Sequence, residues 1–434
     1  MGHSRINPGG FMRKTLFAMS IGIFFLIGTQ IPNTQSQEIV PLLGQEFGVG
    51  ARALGMGGAF VGVADDYSAT HWNPAGLGLI RKMEWYGSLS RYGLSDNVTI
   101  GSLTTTDRGH FSRLNAGGFV FPIPTYQGSL VFALGYNRVR NLDGVFNSKR
   151  FISTPGDSVY RIGDELEIGY LGYWNFSGSV QLSPNFYIGG AINFWGGTDN
   201  YNWKYYEFDA LNIWTFNTNI LAKDQINTKF SGTNIKMGGL FTLGHILNVG
   251  GTISTPLTLL GKENWYHEAN TIIFDNGSVQ EGTKEKGYYE YKIQKPYSFA
   301  AGVALKLPLL LLSGDVEYND WSQIQYKSPD SLTAQNENLM KKYRETLRYR
   351  LGAELTVPFT GIKLRGGYMF DPSPYQQASL YSGRKFLTAG IGFIIDRQYT
   401  FDFAWMHGWW KHNPGNYVEN ITADKVLFTA AFRF

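Results

Sequence analysis

Residues 426–434 read Val-Leu-Phe-Thr-Ala-Ala-Phe-Arg-Phe. Successive side chains of an extended strand point to opposite faces. Val426, Phe428, Ala430, Phe432 and Phe434 therefore share one face, and Leu427, Thr429, Ala431 and Arg433 share the other. One face is apolar throughout, and the strand ends on an aromatic ring. A soluble sandwich or propeller also alternates but turns polar groups outward. A fully apolar outward face fits a strand that meets lipid.

Upstream segments repeat the pattern. Leu347, Tyr349, Leu351, Ala353, Leu355 and Val357 oppose Arg348, Arg350, Gly352, Glu354 and Thr356. After a tight turn at Pro358 to Gly361, Ile362, Leu364, Gly366 and Tyr368 oppose Lys363, Arg365 and Gly367. In the preceding segment Asp315 and Glu317 share a face with Ser313. An Arg or Lys on the lipid side costs about 2–4 kcal/mol at mid-bilayer, so these charges belong inside, where acids and bases on adjacent strands can pair.

The 434-residue chain has 53 glycines, 30 Phe, 26 Tyr, 11 Trp and no cysteine. A formal charge of +4 implies neither nucleic acid nor an acidic partner. Beyond the N-terminus no run of about 18 apolar residues occurs, which excludes a helical membrane protein. Met12, Arg13 and Lys14 followed by the apolar run Leu16–Ile27 read as a secretory signal peptide over residues 1–36, with Met12 as the true start and cleavage after Ser36. Export without thiols leaves burial and hydrogen bonding to stabilise the fold.

From residue 84 to 434 the chain divides into about fifteen alternating segments of roughly ten residues. Single-chain bacterial barrels take an even number of strands. The stretch from Asn97 to Thr106 is best taken as an extension or hairpin of the first strand, which leaves about fourteen. The fold expected is an all-β, antiparallel transmembrane barrel in the bacterial outer membrane. Stretches 141–170, 197–226, 262–287 and 328–345 read as long extracellular loops. Asp330–Arg344 and Tyr205–Leu221 suggest helix, and Phe208, Leu211 and Trp214 offer an apolar capture surface. Residues 37–83, rich in glycine and without strand period, suit a segment folded inside the lumen.

That segment contains Gly50-Ala51-Arg52-Ala53-Leu54-Gly55-Met56-Gly57-Gly58-Ala59-Phe60, then Ala64-Asp65-Asp66, then Trp72-Asn73-Pro74-Ala75-Gly76. It resembles the N-terminal hatch of the FadL family of outer-membrane transporters. The likeness continues in Asp315-Val316-Glu317-Tyr318 with Trp321-Ser322-Gln323, in Tyr349-Arg350-Leu351-Gly352-Ala353, in Gly366-Gly367-Tyr368 before Asp371-Pro372-Ser373-Pro374, and in Met406-His407-Gly408. The resemblance implies fourteen strands, a hatch over residues 37–83 and passive uptake of long-chain fatty acids or aromatic hydrocarbons. It also implies lateral exit at a kink of the third strand, here Gln127–Arg140, with Gly135, Tyr136 and Asn137 as the kink.

Family members that carry fatty acids set basic residues against the ligand carboxylate. Lys327 stands one position short of one such place, and Lys204 is the base nearest the other. The inexact match leaves neutral hydrocarbons open as ligands. Membrane lipid, lipopolysaccharide and the barrel assembly machinery are the further partners implied. A related barrel that shuttles proteins in type IX secretion leaves a binding scaffold as the alternative.

Asn73-Pro74-Ala75 reads as a hinge or as a locking turn. Asp65 and Asp66 point to opposite sides if extended, which favours buried ion pairing, with Arg348 or Arg350 as partners, over paired-carboxylate catalysis. Gly55, Gly57 and Gly58 lack the third glycine and the βαβ context of a dinucleotide loop. His407 and His412 fall on opposite faces, and His407 aligns with Trp405 and Trp409 as an interfacial girdle. No cofactor or metal is implied. Neither G-x-S-x-G nor HExxH occurs, and an outer-membrane hydrolase is the least favoured alternative.

Overall fold

The computed structural model describes residues 47–100, 103–154, 157–210, 216–377, 382–413 and 418–434. Residues 1–36, read above as a signal peptide, residues 37–46, Leu211 and Trp214 lie outside the described residues.

Fourteen antiparallel strands close into one barrel. In chain order they are β1 (Glu84–Ile100), β2 (Leu103–Ile123), β3 (Leu130–Asn141, continued as Gly144–Thr154), β4 (Asp157–Ser183), β5 (Phe186–Asp209), β6 (Phe216–Leu243) and β7 (Leu247–Ser254, continued as Leu257–Ala269). There follow β8 (Thr283–Lys295, continued as Ser298–Lys306), β9 (Leu310–Asp320), β10 (Glu345–Thr356), β11 (Ile362–Asp371), β12 (Arg384–Ile395), β13 (Tyr399–His412) and β14 (Val418–Arg433). Closure is by β14 on β1, from Glu84 opposite Arg433 to Thr99 opposite Val418. Pro256 and Pro296 lie in the gaps that divide β7 and β8, where a missing N–H interrupts the ladder.

The faces follow from period 2. Leu347, Tyr349, Leu351 and Leu355 are exposed outward, while Arg348, Arg350 and Glu354 are buried inward. Trp85, Leu114, Leu134, Trp174, Phe194 and Phe428 continue the apolar exterior around the wall. His407 lies between Trp405 and Trp409 with ring centroids 5.8 and 5.9 Å away.

The strands run further than the sequence pattern indicates. Stretches 141–170, 197–226 and 262–287 are largely paired sheet, not loops, and Tyr205–Leu221 is not helical where described. Beyond lipid both faces meet water, so the apolar alternation stops although backbone pairing continues. Asn97–Ile100 pair with Leu103–Thr106 as the outer part of a β1–β2 hairpin. Between β9 and β10, α-helices at Asp330–Thr333 and Asn336–Lys342 do form where helical spacing was seen. They pack Leu332 and Leu339 with Trp321, Ile324, Tyr326, Tyr343 and Tyr375 over the lumen, against Leu257 and Leu259 of β7.

Candidate functional site

The described N-terminal residues are short of regular structure, with an α-helix at Ala51–Gly55, another at Ala69–Trp72 and a 3-10 turn at Pro74–Leu79. Inward side chains of the wall supply the hydrogen bonds that such a segment cannot make internally. Asp315 accepts from the backbone N–H of Phe60 (2.6 Å) and Val61 (2.8 Å). Thr388 accepts from Gly57 N–H and donates to Gly55 O. Thr429 accepts from Ala51 N–H, Glu84 from Tyr67 N–H, and Asn248 donates to Gly62 O. Asn73 Nδ2 donates to Val61 O (2.9 Å) and to Gly239 O of β6 (3.1 Å), while its Oδ1 accepts from Ala75 N–H. Pro74 opens the 3-10 turn that follows. Asn73-Pro74-Ala75 thus ties two parts of the segment to the wall. Gly57 adopts φ +65°, and a Cβ there would stand 2.7 Å from Leu351 O.

The lumenal charges form two arrays. Glu317 pairs with Arg350 and, at 3.5 Å, with Arg348, which also reaches Asp371 at 2.9 Å. Glu354 receives Lys363 (2.7 Å), Arg365 (2.8 Å) and Arg52 (2.9 Å), and Arg365 continues to Asp402 (2.7 Å). Asp65 pairs with Arg52, thirteen residues away on its own segment, and its carbonyl accepts from Arg433. Neither Arg348 nor Arg350 is its partner, because both are engaged by Glu317. Asp66 accepts from the N–H and hydroxyl of Ser68.

Burial works against a charge on Asp65, but Arg52 and Arg433 outweigh it and hold its pKa below the usual value. Burial, joined by neighbouring Asp65, raises Asp66. A carboxylate with a depressed folded pKa stabilises above its unfolded value and loses that contribution as pH falls through the folded one. Limited proteolysis at decreasing pH should leave the Asp65 ion pair and its segment protected down to about pH 4. Cleavage that sets in well above that value would contradict the assignment.

Between this segment and strands β4–β10 lies a cavity with about 780 Å³ of empty space, counting the part open to solvent, and Glu317 is the carboxylate in its lining. Trp72, Tyr173 and Trp195 give it aromatic walls, and Lys236, Lys295 and Arg350 give it bases. His71 Nδ1 lies 2.7 Å from Tyr173 Oη, and Lys236 donates to His71 O. Trp195 and Leu257 line both this cavity and the cluster beneath the two helices between β9 and β10. Lys204 and Lys327, the bases selected from sequence, are exposed and do not line it. Strand β5 extends where a loop was read, so Lys204 falls on the outward side next to buried Trp203. Phe208, half-buried, meets Tyr206 edge-on at 5.3 Å near the end of the same strand. Lys236 and Lys295 were missed because each is a single base in an alternating strand. The legible signal was a charge on the inward face.

Gly135, Tyr136 and Asn137 are in register with both neighbours, opposite Gly118, Gly117 and Ala116 of β2 and Asn175, Trp174 and Tyr173 of β4. The irregularity comes just after them. Pairing with β2 ends at Asn137 opposite Ala116, and β3 shifts register between Arg138 and Arg140. Strand β2 has its own shift, where Asn115 has no partner in β1. Above this point side chains join the two strands. Asn115 donates to Arg138 O (3.3 Å), and Arg113 pairs with Asp143 (3.0 Å). Asn115 also accepts from Gly50 N–H, linking this seam to the N-terminal segment.

Among solved structures the chain is similar to a Pseudomonas aeruginosa FadL homologue, at 14% identity over 89% of this chain and 98% of that one, with a TM-score of 0.60. It is similar to the P. putida toluene transporter TodX, at 13% identity over 90% and 99%, with a TM-score of 0.62. The Ralstonia pickettii toluene transporter TbuX gives 14% identity over 89% and 98%, with a TM-score of 0.57. Among curated proteins no match is found. A profile of the family described as outer membrane protein transport protein (OMPP1/FadL/TodX) matches residues 158–433, well over half the chain, and the protein belongs to that family.

Proposed function

We propose that the protein admits hydrophobic small molecules passively through the outer membrane. The N-terminal segment acts as the hatch, the central cavity as the binding site and the β2–β3 seam as the lateral exit. The cavity itself carries this reading, since it places Trp72, Trp195 and Tyr173 beside Lys236 and Lys295 against the hatch. Aromatic walls suit an apolar body and the bases suit an acidic head, which favours long-chain acids over neutral hydrocarbons. The seam supports lateral exit because side chains can release where a backbone ladder cannot without unpairing. Ligand binding shifts the hatch only by favouring its displaced state. Terminal Phe434 and the apolar exterior suit insertion by the barrel assembly machinery into lipid and lipopolysaccharide.

The test is uptake of radiolabelled oleate and toluene by cells lacking their own transporter, with and without the protein and with Lys236→Gln. Oleate uptake should depend on the protein and fall on the order of tenfold in the variant, as loss of one charge-assisted contact implies. Equal oleate uptake with and without folded protein would refute the channel reading. Toluene uptake without oleate uptake would refute the acidic ligand.

A further inference from the structure

On the outer face of β6, β7 and β8 the apolar band gives way to bases. Lys229, Lys262 and Lys292 are exposed, and the residues on either side of each are buried in the wall, so all three point away from the barrel axis. Lys327, on the short strand Gln325–Ser328 that pairs with β8, is exposed too and follows buried Tyr326. Below them the same face shows Ile235, Met237 and Phe241 on β6, Val249 on β7, and Tyr297 and Phe299 at the break in β8, all exposed. Between the two levels stand Ser231, Thr233, Thr258, Leu260 and Gln294. The lysines are therefore the first outward charges above the lipid-facing band on three consecutive strands.

Register brings these bases together. Lys229 stands directly opposite Lys262, and Lys262 directly opposite Glu290. Glu290 reaches Lys262 only at 4.0 Å and accepts a hydrogen bond from the Tyr288 hydroxyl at 2.8 Å. Lys292 lies two residues along from Glu290, and Lys327 falls in the bulge between the partners of Lys292 and Ile293. Among the described residues, four bases and one carboxylate thus share a patch four strands wide, about 15 Å across at the usual strand spacing. Like charges directly opposite one another destabilise a sheet, so the Lys229–Lys262 pair weakens the wall until an anion sits between the two ammonium groups. On β9 and β10 the corresponding outward charges are acids, Asp320 opposite Glu345, so the basic patch is local and not a general feature of the rim.

We propose that this patch is a docking site for a phosphate-bearing, multiply acylated lipid of the outer leaflet. Its phosphates lie between Lys229 and Lys262 and against Lys292 and Lys327, and its acyl chains run down the wall over Ile235, Tyr297 and Phe299. One molecule then meets both levels of the surface, which a free phosphate and a neutral lipid each meet only in part. Charge-assisted bonds to phosphate oxygens are roughly twice as strong as neutral ones, and here several act on one headgroup. The site rests on the outer-membrane setting of the barrel and not on the uptake reading, and its test uses purified protein, so the two stand or fall apart.

The experiment titrates the full-length barrel, in uncharged detergent micelles, with diphosphorylated lipid A and follows bound lipid by native mass spectrometry. Wild-type protein should bind lipid A, and dephosphorylated lipid A should bind on the order of tenfold more weakly. Lys229→Gln combined with Lys262→Gln should weaken lipid A binding to a similar extent, while Lys229→Arg combined with Lys262→Arg should retain it. Lys204→Gln, which removes an outward base higher on β5, should leave it unchanged. Without lipid A the double Gln variant should resist urea at least as well as wild type, because a repulsion has gone; added lipid A should protect wild type more. Heat-modifiable mobility in gels checks that each variant is folded. Equal lipid A binding by wild type and the folded double Gln variant would overturn the proposal, as would dephosphorylated lipid A binding as tightly as the phosphorylated form. An equal loss in Lys204→Gln would reduce the effect to overall charge and overturn the site. Displacement of lipid A by inorganic phosphate at the same concentration would assign the patch to a free anion and overturn the lipid.

Discussion

Glu354→Gln should unfold the barrel in detergent under markedly milder conditions than wild type, with a loss of roughly 3–5 kcal/mol. Glu354 is buried and gathers Arg52, Lys363 and Arg365 around one carboxylate. An amide in its place leaves three bases facing one another, with Arg365 only 1% exposed at its side chain and still bound to Asp402. The cost comes from abandoned charges more than from the lost bonds, so Glu354→Asp should recover part of it. Because Arg52 belongs to the N-terminal segment, protease sensitivity there should rise together with the fall in barrel stability. Urea titration followed by heat-modifiable mobility measures the first, and limited proteolysis the second. A variant as stable as wild type would mean that the array is solvated and contributes little.

Gly118→Val should unseat the N-terminal segment while the wall stays closed. A Cβ at Gly118 would lie 2.0 Å from the Tyr67 ring, and one at Gly135, directly opposite in register, 2.1 Å from the Tyr67 hydroxyl. The two glycines form a recess in β2 and β3 that receives this ring. Overpacking of this kind costs about 1–3 kcal/mol, and the ring can leave more easily than the wall can bend. Tyr67 is held by Glu84 through its N–H, so its departure pulls at the middle of the segment. Single-channel recordings should show a larger and noisier open state in the variant. Adding Tyr67→Ala to Gly118→Val should remove the clash with the ring, leaving the 2.8 Å approach of the new Cβ to Leu134 O, and partly restore proteolytic protection. No rescue would show that the valine acts on β-pairing and not on Tyr67.

These residues show where the sequence was legible. The last strand, with Phe428 outward and Thr429 inward, could be read because lipid and lumen impose opposite chemistry on alternate positions. The same rule placed Arg348, Arg350 and Glu354 inside. It lapsed in β5 above Phe194, where water lies on both sides, and so Tyr205–Leu221 was taken for helix. It could not name partners either. Asp65 joins Arg52 through a fold of the segment, a contact with no periodic signature. The recess for Tyr67 depends on two glycines that are neighbours only across strands.

The length of β5 and β6 has a consequence for life at the cell surface. Membrane-spanning strands need about 9–11 residues, whereas these run for 24 and 28. The surplus, at about 3.3 Å per residue and with the usual tilt, carries this hairpin roughly 30–40 Å beyond the hydrocarbon. The described outer ends of the two strands, at Asp209 and Phe216, therefore stand well clear of the headgroup region. On the uptake route proposed above, a solute met at those strand ends follows a protein surface inward over that whole distance.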